Sequence, residues 1–248
     1  MRALDGADFA AWPGEVSALV GDNGSGKSTL LKMLTGRLTP DEGAIIIRGQ
    51  AYRRLTPRQA LSLGVGAVYQ DLALDNEKDC VENIYLGREL TKAGVFLDRR
   101  EMRRRARALL DALAIDIPDV TQRVARMSGG QRQALAIARA VAFPHDVLVF
   151  DEPTAAMGMR ETDRTMGLIR QLRDEGKAVI LISHNLFQVF DIADRISVMS
   201  QGRVVESFAA RDSSPERLWE SIVRRESQAA GAPDRALGGS AVRKGARA

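Results

Sequence analysis

The sequence has little of what marks secreted and membrane-spanning proteins. It contains a single cysteine, Cys80, and only 5% of its 248 residues are aromatic. One cysteine cannot form an internal disulfide, so we interpret Cys80 as a small packing residue in a reducing compartment. No run of about 18 uninterrupted apolar residues is present, which argues against a membrane-spanning helix. The N-terminus also lacks the basic-then-apolar pattern of a signal peptide.

The rest of the composition is that of an ordinary globular protein. Apolar residues make up 45% of the chain and charged residues 27%, and the length suits one large domain or two small ones. The net charge is +4. Arg103, Arg104, Arg105 and Arg107 form a local run that we interpret as the solvated face of a helix. A nucleic-acid patch is the alternative, but no aromatic residues are interleaved for base stacking, so we expect no nucleic-acid partner.

A phosphate-binding loop is the most specific motif in the sequence. Residues 21–28, GDNGSGKS, match the pattern G-x-x-x-x-G-K-[ST] at every fixed position. Gly21, Gly24 and Gly26 let the backbone turn tightly and bring its N–H groups close to phosphate oxygens. Lys27 provides a cation for the outer phosphates, and Ser28 offers a hydroxyl to Mg²⁺. A flexible Gly/Ser linker is the alternative, but a predicted strand before the loop and a predicted helix after it favour phosphate binding.

A second motif puts two acids at the end of an apolar strand. Val147–Phe150 is predicted to be buried, and Asp151 and Glu152 follow it directly. Carboxylates in such a position are costly to bury, so we expect them to bind a cation or to take part in proton transfer. Beside a phosphate loop, Asp151 can hold Mg²⁺ and Glu152 can polarise the water that attacks the terminal phosphate. The alternative is a strand followed by a simple acidic turn.

Three further elements can be interpreted as functional because these two motifs occur in the same sequence. Residues 127–131, MSGGQ, precede an Ala-rich helix, and a serine with two glycines at a helix start forms an anion site. Ser128 taken alone is better explained as a helix cap. Gln70 and His184 each follow a predicted strand, at the strand end where open parallel sheets bind their ligands. Either of these two residues alone would be interpreted as an ordinary surface side chain.

Short strands alternate with helices along most of the chain, which predicts an α/β fold with a mainly parallel sheet. The predicted strands are Glu15–Val20, Ala44–Arg48, Val65–Tyr69, Val147–Phe150, Ala178–Ser183, Arg195–Met199 and Arg203–Phe208. The predicted helices are Ser28–Thr35, Pro57–Leu63 with Thr56 as its cap, Val81–Leu86, Arg99–Ala114, one that begins near Gly129, Glu161–Asp174 and Asn185–Ala193. Residues 71–140 have a helical pattern and interrupt a core made of residues 1–70 and 141–210. Residues 211–248 are expected to form a C-terminal helix and a disordered tail.

The order of these motifs resembles that of ATP-binding cassette (ABC) proteins. The phosphate loop, Gln70, the MSGGQ element, the strand with Asp151 and Glu152, and His184 follow one another as in that family. The resemblance implies an ABC ATPase domain over residues 1–210, built as a P-loop NTPase core with a mainly parallel sheet, an antiparallel β portion and an inserted α-helical subdomain. It also implies that the protein binds ATP and Mg²⁺.

The same resemblance assigns roles to individual residues. It implies that ATP phosphates are bound by Gly21, Asn23, Gly24, Gly26, Lys27, Ser28 and Thr29. It implies that Mg²⁺ is held by Ser28, Gln70 and Asp151. Glu152 is then the catalytic base, Gln70 contacts the lytic water, and His184 steadies the γ-phosphate. In the family an opposite subunit supplies the serine-glycine element, so a head-to-tail dimer is expected to bind ATP through Ser128, Gly129, Gly130 and Gln131.

Longer segments narrow the resemblance to the importers of simple sugars. Residues 64–74, 151–158, 184–186 and 189–195 are similar to the ribose, xylose and fructose type. Many of those ATPases are two fused cassettes, whereas this chain has one and would act as a homodimer. The resemblance implies a peripheral protein on the cytoplasmic face of the inner membrane, which serves a sugar permease and, indirectly, a periplasmic or extracellular sugar-binding protein. The partners select the sugar, and Glu82–Gly87 lies where family members meet the permease.

Two positions depart from the family pattern. Gly158 stands where most cassettes carry aspartate, although the sugar branch commonly has glycine there. Family members also begin further upstream, with an edge strand and an aromatic residue that stacks on adenine. Neither Phe9 nor Trp12 occupies that position. We therefore expect either a truncated start or a less specifically held adenine.

Two other functions match parts of the pattern. A soluble ABC ATPase acting on nucleic acid or ribosomes would be expected to show tandem cassettes, a long coiled-coil insertion or a dense basic linker, and the sequence has none of these. A non-hydrolysing nucleotide-binding module would not need Glu152 and His184. The sequence therefore favours an ATP-hydrolysing subunit that powers sugar import.

Overall fold

The strand that leads into the phosphate loop lies inside a six-stranded sheet. A computed structural model describes residues 2–220 of the chain. Its strands are β1 (Val16–Gly21), β2 (Ile45–Ile47), β3 (Gln50–Tyr52), β4 (Val65–Val68), β5 (Thr91–Lys92), β6 (Phe96–Leu97), β7 (Val147–Asp151), β8 (Ala178–Ile182), β9 (Arg195–Ser200) and β10 (Arg203–Ala209). The large sheet has the order β10-β9-β1-β8-β7-β4, while β2 with β3 and β5 with β6 form separate pairs.

Neighbouring strands of the large sheet are parallel, except that β10 runs antiparallel to β9. The prediction of a mainly parallel sheet with an antiparallel portion is therefore confirmed. Parallel pairing brings the carboxyl ends of β9, β1, β8, β7 and β4 to the same edge. Open α/β sheets bind their ligands beyond that edge, so it is where a functional site is expected.

Helices occupy most of the segments between the strands. They are α1 (Lys27–Leu34), α2 (Pro57–Ser62), α3 (Cys80–Tyr85), α4 (Arg99–Ala112), α5 (Gly129–Val141), α6 (Met159–Asp174) and α7 (Leu186–Ile192). Thr56, Asp79 and Ser128 each form a capping box at the start of a helix, which satisfies backbone N–H groups there. Within residues 2–220, none of the helices combines the length and the apolar character needed to cross a membrane.

Alternation of side chains gives the large sheet two buried faces. In β1, Val16, Ala18 and Val20 pack with α5, α6 and α7 on one face. Leu19 packs on the other face with Leu31 of α1. All four β1 side chains are 0% exposed. A strand buried on both sides is apolar at every position that faces a helix, which is why β1 was recognisable in the sequence.

A second core lies among the helices between β4 and β7. Cys80 from α3, Leu110 from α4 and Leu135 from α5 pack together in it. Cys80 is fully buried, and burial raises the pKa of its thiol to about 12, so it is a packing residue as predicted. Helix α5 also contributes Ala136 and Ile137 to the core under the sheet, so this one helix is shared by both cores. The division of residues 1–210 into a core and a helical subdomain stays a prediction.

The segment between α1 and α2 differs from the prediction of one strand over Ala44–Arg48. The strand ends at Ile47, and a second strand, β3, returns antiparallel to it. Arg48 and Gly49 form the two-residue turn, with φ values of 51° and 78°. Such turns match the twist of a hairpin. A non-glycine residue rarely adopts a positive φ, so the arginine gave no turn signal in the sequence.

The helical pattern predicted for residues 71–140 is interrupted by segments that are not helical. No helix forms over residues 71–79, and β5 and β6 make a small hairpin before α4. Ala93 and Gly94, with φ values of 51° and 74°, turn the chain between the two strands. The backbone N–H of Asp98 then donates to the carbonyl oxygen of Leu90 at 2.7 Å, and the Asp98 side chain caps α4. A positive φ at two successive residues interrupts any helix, so local geometry overrides the helical composition here.

Both ends of the described chain pack on the sheet. Phe9 is partly buried beneath α1, whereas Trp12 is 55% exposed. Asp5 donates its backbone N–H to the carbonyl oxygen of Gly202 at 2.8 Å, which fixes the first residues beside the turn between β9 and β10. Residues 215–220 are helical. The tail predicted after them lies outside the described residues.

His145, just before β7, makes the stability of the fold depend on pH. It is 6% exposed, its Nδ1 has no hydrogen-bond partner within residues 2–220, and burial lowers its pKa from the usual 6.5. Below about pH 6.5, His145 binds a proton in the unfolded chain but resists protonation in the folded chain. The free energy of unfolding therefore falls as the pH falls. We expect urea denaturation to show a steeper loss for the wild type than for His145→Asn between about pH 7 and about pH 5. Equal slopes would exclude His145 as the cause.

Candidate functional site

The phosphate loop leaves the start of α1 available to an anion. Gly26 precedes the helix with a φ of 111°, no side chain within the described residues caps it, and its first turn contains no acid. The first N–H groups of α1 are therefore open to oxygen acceptors. Lys27 folds over the loop, where its Nζ donates to the carbonyl oxygens of Gly21 at 2.6 Å and Asp22 at 2.7 Å. Asn23 and Ser28 are exposed. These donors suit the phosphates of a nucleotide.

Two carboxylates at the end of β7 act on Lys27. Asp151 is 5% exposed, and burial raises its pKa, with a smaller contribution from Glu152, while Lys27 acts in the opposite direction. Burial also lowers the pKa of Lys27, although both carboxylates favour its charged form. A buried carboxylate with too little compensating charge is stabilised by a cation. Mg²⁺ is commonly bound by one or two carboxylates together with substrate phosphates, so Asp151 and the Ser28 hydroxyl fit this ion.

Strand register brings the predicted catalytic residues to the same edge. Ile182 of β8 lies level with Leu19 of β1 on one side and with Asp151 of β7 on the other. Phe150 of β7 lies level with Val68 of β4. One or two residues beyond these paired positions, the four strands lead to Gly21, His184, Glu152 and Gln70. Gln70 is exposed, so its amide is accessible at this edge.

Glu152 and His184 contact each other directly. Nδ1 of His184 lies 2.8 Å from Oε1 of Glu152, and their side chains are 76% and 14% exposed. Glu152 has a φ of 52°, which is unusual for a residue with a side chain. Its backbone N–H donates to the carbonyl oxygen of Ile182 at 2.9 Å, which holds this turn against β8. Strained backbone of this kind clusters at functional sites, and here it fixes the direction of a carboxylate.

The serine-glycine element is held to its own helix. Ser128 Oγ accepts from the N–H of Gln131 at 3.1 Å, and Gln131 Oε1 accepts from the N–H of Ser128 at 3.0 Å. Gln131 Nε2 also donates to the carbonyl oxygen of Asp116 at 3.4 Å. Ser128 is exposed, and Gly129 and Gly130 form the first turn of α5. These bonds confirm the cap interpretation and do not join the element to the phosphate loop of the same chain.

Sequence reasoning missed Arg139, which links α5 to the loop after Gln70. Its Nη1 donates to the carbonyl oxygen of Ala73 at 2.8 Å, and its Nη2 donates to that of Leu72 at 2.5 Å. Ala73 has a φ of 47°, so the loop takes a conformation that its own sequence does not favour. The guanidinium fork therefore determines how the chain leaves Gln70. A separation of 66 residues between Arg139 and Ala73 gave no local signal for this contact.

The segment expected to meet a permease is only partly accessible. Asn83, Ile84 and Tyr85 are 0%, 1% and 6% exposed. Asn83 uses its amide internally, because Oδ1 accepts from the N–H of Asp75 at 2.8 Å and Nδ2 donates to the Asp75 carbonyl at 3.0 Å. Leu86, by contrast, is 47% exposed. Surface contact within this segment is therefore concentrated at its C-terminal end.

The arrangement of phosphate loop, acidic strand end and serine-capped helix matches a known family. The family model described as ABC transporter matches residues 4–155, more than half of the chain. The chain belongs to the ABC transporter family. The predicted resemblance and the predicted α/β cassette fold are thereby confirmed.

Relatives of this ABC cassette include two single-cassette-length import proteins. The fructose import ATP-binding protein FrcA of Rhizobium meliloti is 45% identical over 210 residues, which cover 82% of this chain and 81% of the relative. The xylose/arabinose import ATP-binding protein XylG of Sulfolobus acidocaldarius is 41% identical over 220 residues, which cover 89% and 87%. The solved ATP-binding cassette MJ0796, a post-hydrolysis dimer bound to ADP and Pi, is 26% identical with a TM-score of 0.75, over 84% of this chain and 91% of that one.

The contact between Arg139 and the loop after Gln70 can be tested by Arg139→Ala. We expect ATP turnover to fall by about tenfold with little change in KM, because charge-assisted bonds to two carbonyls are lost and Gln70 is no longer held in one place. Steady-state hydrolysis at several ATP concentrations separates the two parameters. Arg139→Lys keeps the charge but not the fork, so it should rescue turnover only in part.

Arg54→Ala is the matched control for this experiment. Arg54 is exposed and forms no hydrogen bond or ion pair within residues 2–220, so its removal should leave turnover unchanged. If Arg139→Ala lowered only thermal stability and kept the wild-type turnover, the positioning role of Arg139 would be wrong.

Proposed function

We propose that this chain is the ATP-hydrolysing subunit that powers import of a sugar through a membrane permease. The observation that carries the proposal is the meeting of Lys27, Asp151, Glu152 and His184 at one edge of the sheet. Together these residues supply a phosphate contact, a cation position and a general base with an orienting partner. The names of FrcA and XylG, which are similar to this chain over most of their length, support sugar import as the task.

Each residue at this edge of the sheet can be assigned a role in ATP binding or hydrolysis that suits its chemistry. Loop N–H groups with Lys27 and Thr29 bind the phosphates of ATP. Mg²⁺ held by Ser28, Gln70 and Asp151 would supply charge neutralisation at the outer phosphates. Glu152 accepts a proton from the attacking water. His184 orients the Glu152 carboxylate in the structure, and its largely exposed ring can turn to the γ-phosphate when ATP is bound.

The complete site requires a second copy of the chain. Ser128 is exposed at the start of α5, and the hydrogen bonds of its element stay within its own helix and Asp116. The positive end of the α5 dipole is thus available to a phosphate held by another subunit. A head-to-tail homodimer would meet this requirement with Ser128, Gly129, Gly130 and Gln131. The dimeric form of MJ0796, which is similar in fold, supports dimerisation.

The transport partners follow from the same proposal. The permease would contact the exposed end of Glu82–Gly87 and hold the cassette on the cytoplasmic face of the inner membrane. A sugar-binding protein on the opposite side would deliver the substrate. ATP binding closes the dimer, closure drives the permease, and hydrolysis resets it. Stimulation of ATP hydrolysis by membranes that carry the permease would distinguish this role from a cassette that acts on nucleic acid or ribosomes.

Removal of the proposed base gives the first test. Glu152→Gln keeps the shape of the side chain but cannot accept the proton, so we expect hydrolysis to fall by about a hundredfold or more. ATP binding should survive, and the variant should accumulate as an ATP-bound dimer in size-exclusion chromatography. Near-normal turnover of the purified variant would contradict the assigned role of Glu152.

Complementation between two inactive variants tests the shared site. Ser128→Arg should bind ATP as a monomer but fail to dimerise, while Lys27→Ala should lose phosphate binding. A heterodimer of the two contains one site with an intact Lys27 from one subunit and an intact Ser128 from the other. We expect each heterodimer to have one of its two sites intact and therefore to hydrolyse ATP measurably. Inactivity of proven heterodimers would contradict the head-to-tail arrangement.

A further inference from the structure

One side of α4 carries an open cavity that is lined almost wholly by arginine. Its volume is about 470 Å³. Besides Val120, the lining residues are Arg99, Arg100, Arg103, Arg104 and Arg107. The opposite side of α4 is buried through Met102, Ala106 and Leu110. The arginines therefore form a continuous guanidinium surface directed away from the core.

Two of these arginines are available to a ligand. Arg104 is held by Glu101 at 2.6 Å, and Arg107 donates to the carbonyl oxygen of Ile117 at 2.9 Å. Arg100 and Arg103 form no hydrogen bond or ion pair within residues 2–220, although Arg103 adds to the hydrogen bonds from Thr121 in lowering the pKa of Asp119. Guanidinium groups bind phosphate oxygens through paired N–H donors, so unpaired arginines in a shared cavity suit an anionic, phosphate-bearing surface.

Just before α4 in the sequence, the β5–β6 hairpin exposes three consecutive apolar side chains. Val95, Phe96 and Leu97 are 77%, 72% and 50% exposed. Adjacent apolar residues left in water at the tip of a hairpin indicate a contact surface more than isolated exposed residues do. The tip is not needed for the second core, since that core is filled by other side chains.

The apolar residues of the hairpin lead directly into the helix that carries the arginines. Asp98 alone separates Leu97 from Arg99, and three residues of chain span at most about 11 Å from Phe96 to Arg99. Asp98 itself is occupied, because its side chain caps α4 by accepting from the N–H of Glu101 at 3.1 Å. We call Val95, Phe96, Leu97, Arg99, Arg100 and Arg103 the hairpin–arginine surface.

We propose that the hairpin–arginine surface binds directly to a bilayer that contains anionic phospholipid. Proteins that lie on membranes combine apolar side chains, which enter the boundary between headgroups and acyl chains, with basic side chains that contact anionic headgroups. Phe96 and Val95 provide the first component, and Arg100 and Arg103 provide the second. Nucleic acid suits the surface less well, because its binding needs aromatic side chains within the basic groove and not an aliphatic tip beside it.

This contact is independent of the permease and of ATP hydrolysis. The β5 strand begins a few residues after Leu86, the accessible end of the segment proposed to meet the permease. A bilayer that lies against the hairpin would therefore orient the cassette beside its transport partner. Failure of the lipid contact would leave the proposed ATPase function untouched, and the reverse also holds.

Vesicle flotation with the full purified chain tests the proposal without permease or nucleotide. We expect binding to vesicles of phosphatidylglycerol and phosphatidylcholine, little binding to phosphatidylcholine alone, and weaker binding at high salt. Arg100→Glu with Arg103→Glu should lower the affinity for anionic vesicles by about tenfold or more. Val95→Ser with Phe96→Ser should lower it by several-fold and abolish the binding that persists at high salt.

The β2–β3 hairpin provides a matched control. Arg53 and Arg54 are exposed beside β3, and Ile46 of β2 is 68% exposed. Arg53→Glu with Arg54→Glu, and separately Ile46→Ser, should leave vesicle binding at the wild-type level. All variants should retain wild-type ATP hydrolysis in solution and a wild-type melting temperature, which shows that each is folded.

Three results would overturn the proposal. Equal binding to neutral and anionic vesicles would exclude headgroup recognition. Undiminished binding of both hairpin–arginine variants to anionic vesicles would assign the contact to another part of the chain. Binding to a DNA duplex that Arg100→Glu with Arg103→Glu abolishes, with no vesicle binding by the wild type, would identify nucleic acid as the occupant.

Discussion

Parallel pairing in register is the constraint on which the rest of this structure depends. Ile182 lies level with both Leu19 and Asp151, and this alignment fixes where three neighbouring strands end. Because the strands are parallel, each end faces the same edge, and residues far apart in the sequence meet there. A shift of one residue in β7 that moved Asp151 to the position of Phe150 would bury its carboxylate in the apolar core.

The site at this edge is assembled under electrostatic and conformational strain. Burial raises the pKa of Asp151 and lowers that of Lys27, so each charge is held where water cannot fully solvate it. Glu152 also adopts a positive φ that its side chain disfavours. These features oppose folding locally and are tolerated because strands buried on both faces surround them. They leave a set of charges that a metal nucleotide would stabilise.

Helix α5 connects the site to the rest of the molecule. It contributes side chains to both hydrophobic cores, and its first turn carries the capped serine-glycine element. Through Arg139 it also holds the loop that follows Gln70. Movement of α5 relative to the sheet would therefore displace the loop after Gln70 as well as Ser128. In the proposed transport cycle, this helix is the element through which a partner on the helical side could act on the nucleotide.

Features that depend on nearby residues could be predicted from the sequence. The phosphate loop, the apolar strands, the caps at Thr56 and Ser128 and the family itself were all recognisable, because each rests on a short spacing or on periodicity. The hairpin turn at Arg48 and the β5–β6 hairpin were missed, since a positive φ at a non-glycine residue leaves no mark in composition. Tertiary structure alone determined the Arg139 contact, the burial of Asn83 and the meeting of Glu152 with His184. Those features arise when strand register and helix packing bring together residues that are far apart in the sequence. A sequence pattern does not show which of these distant residues come into contact.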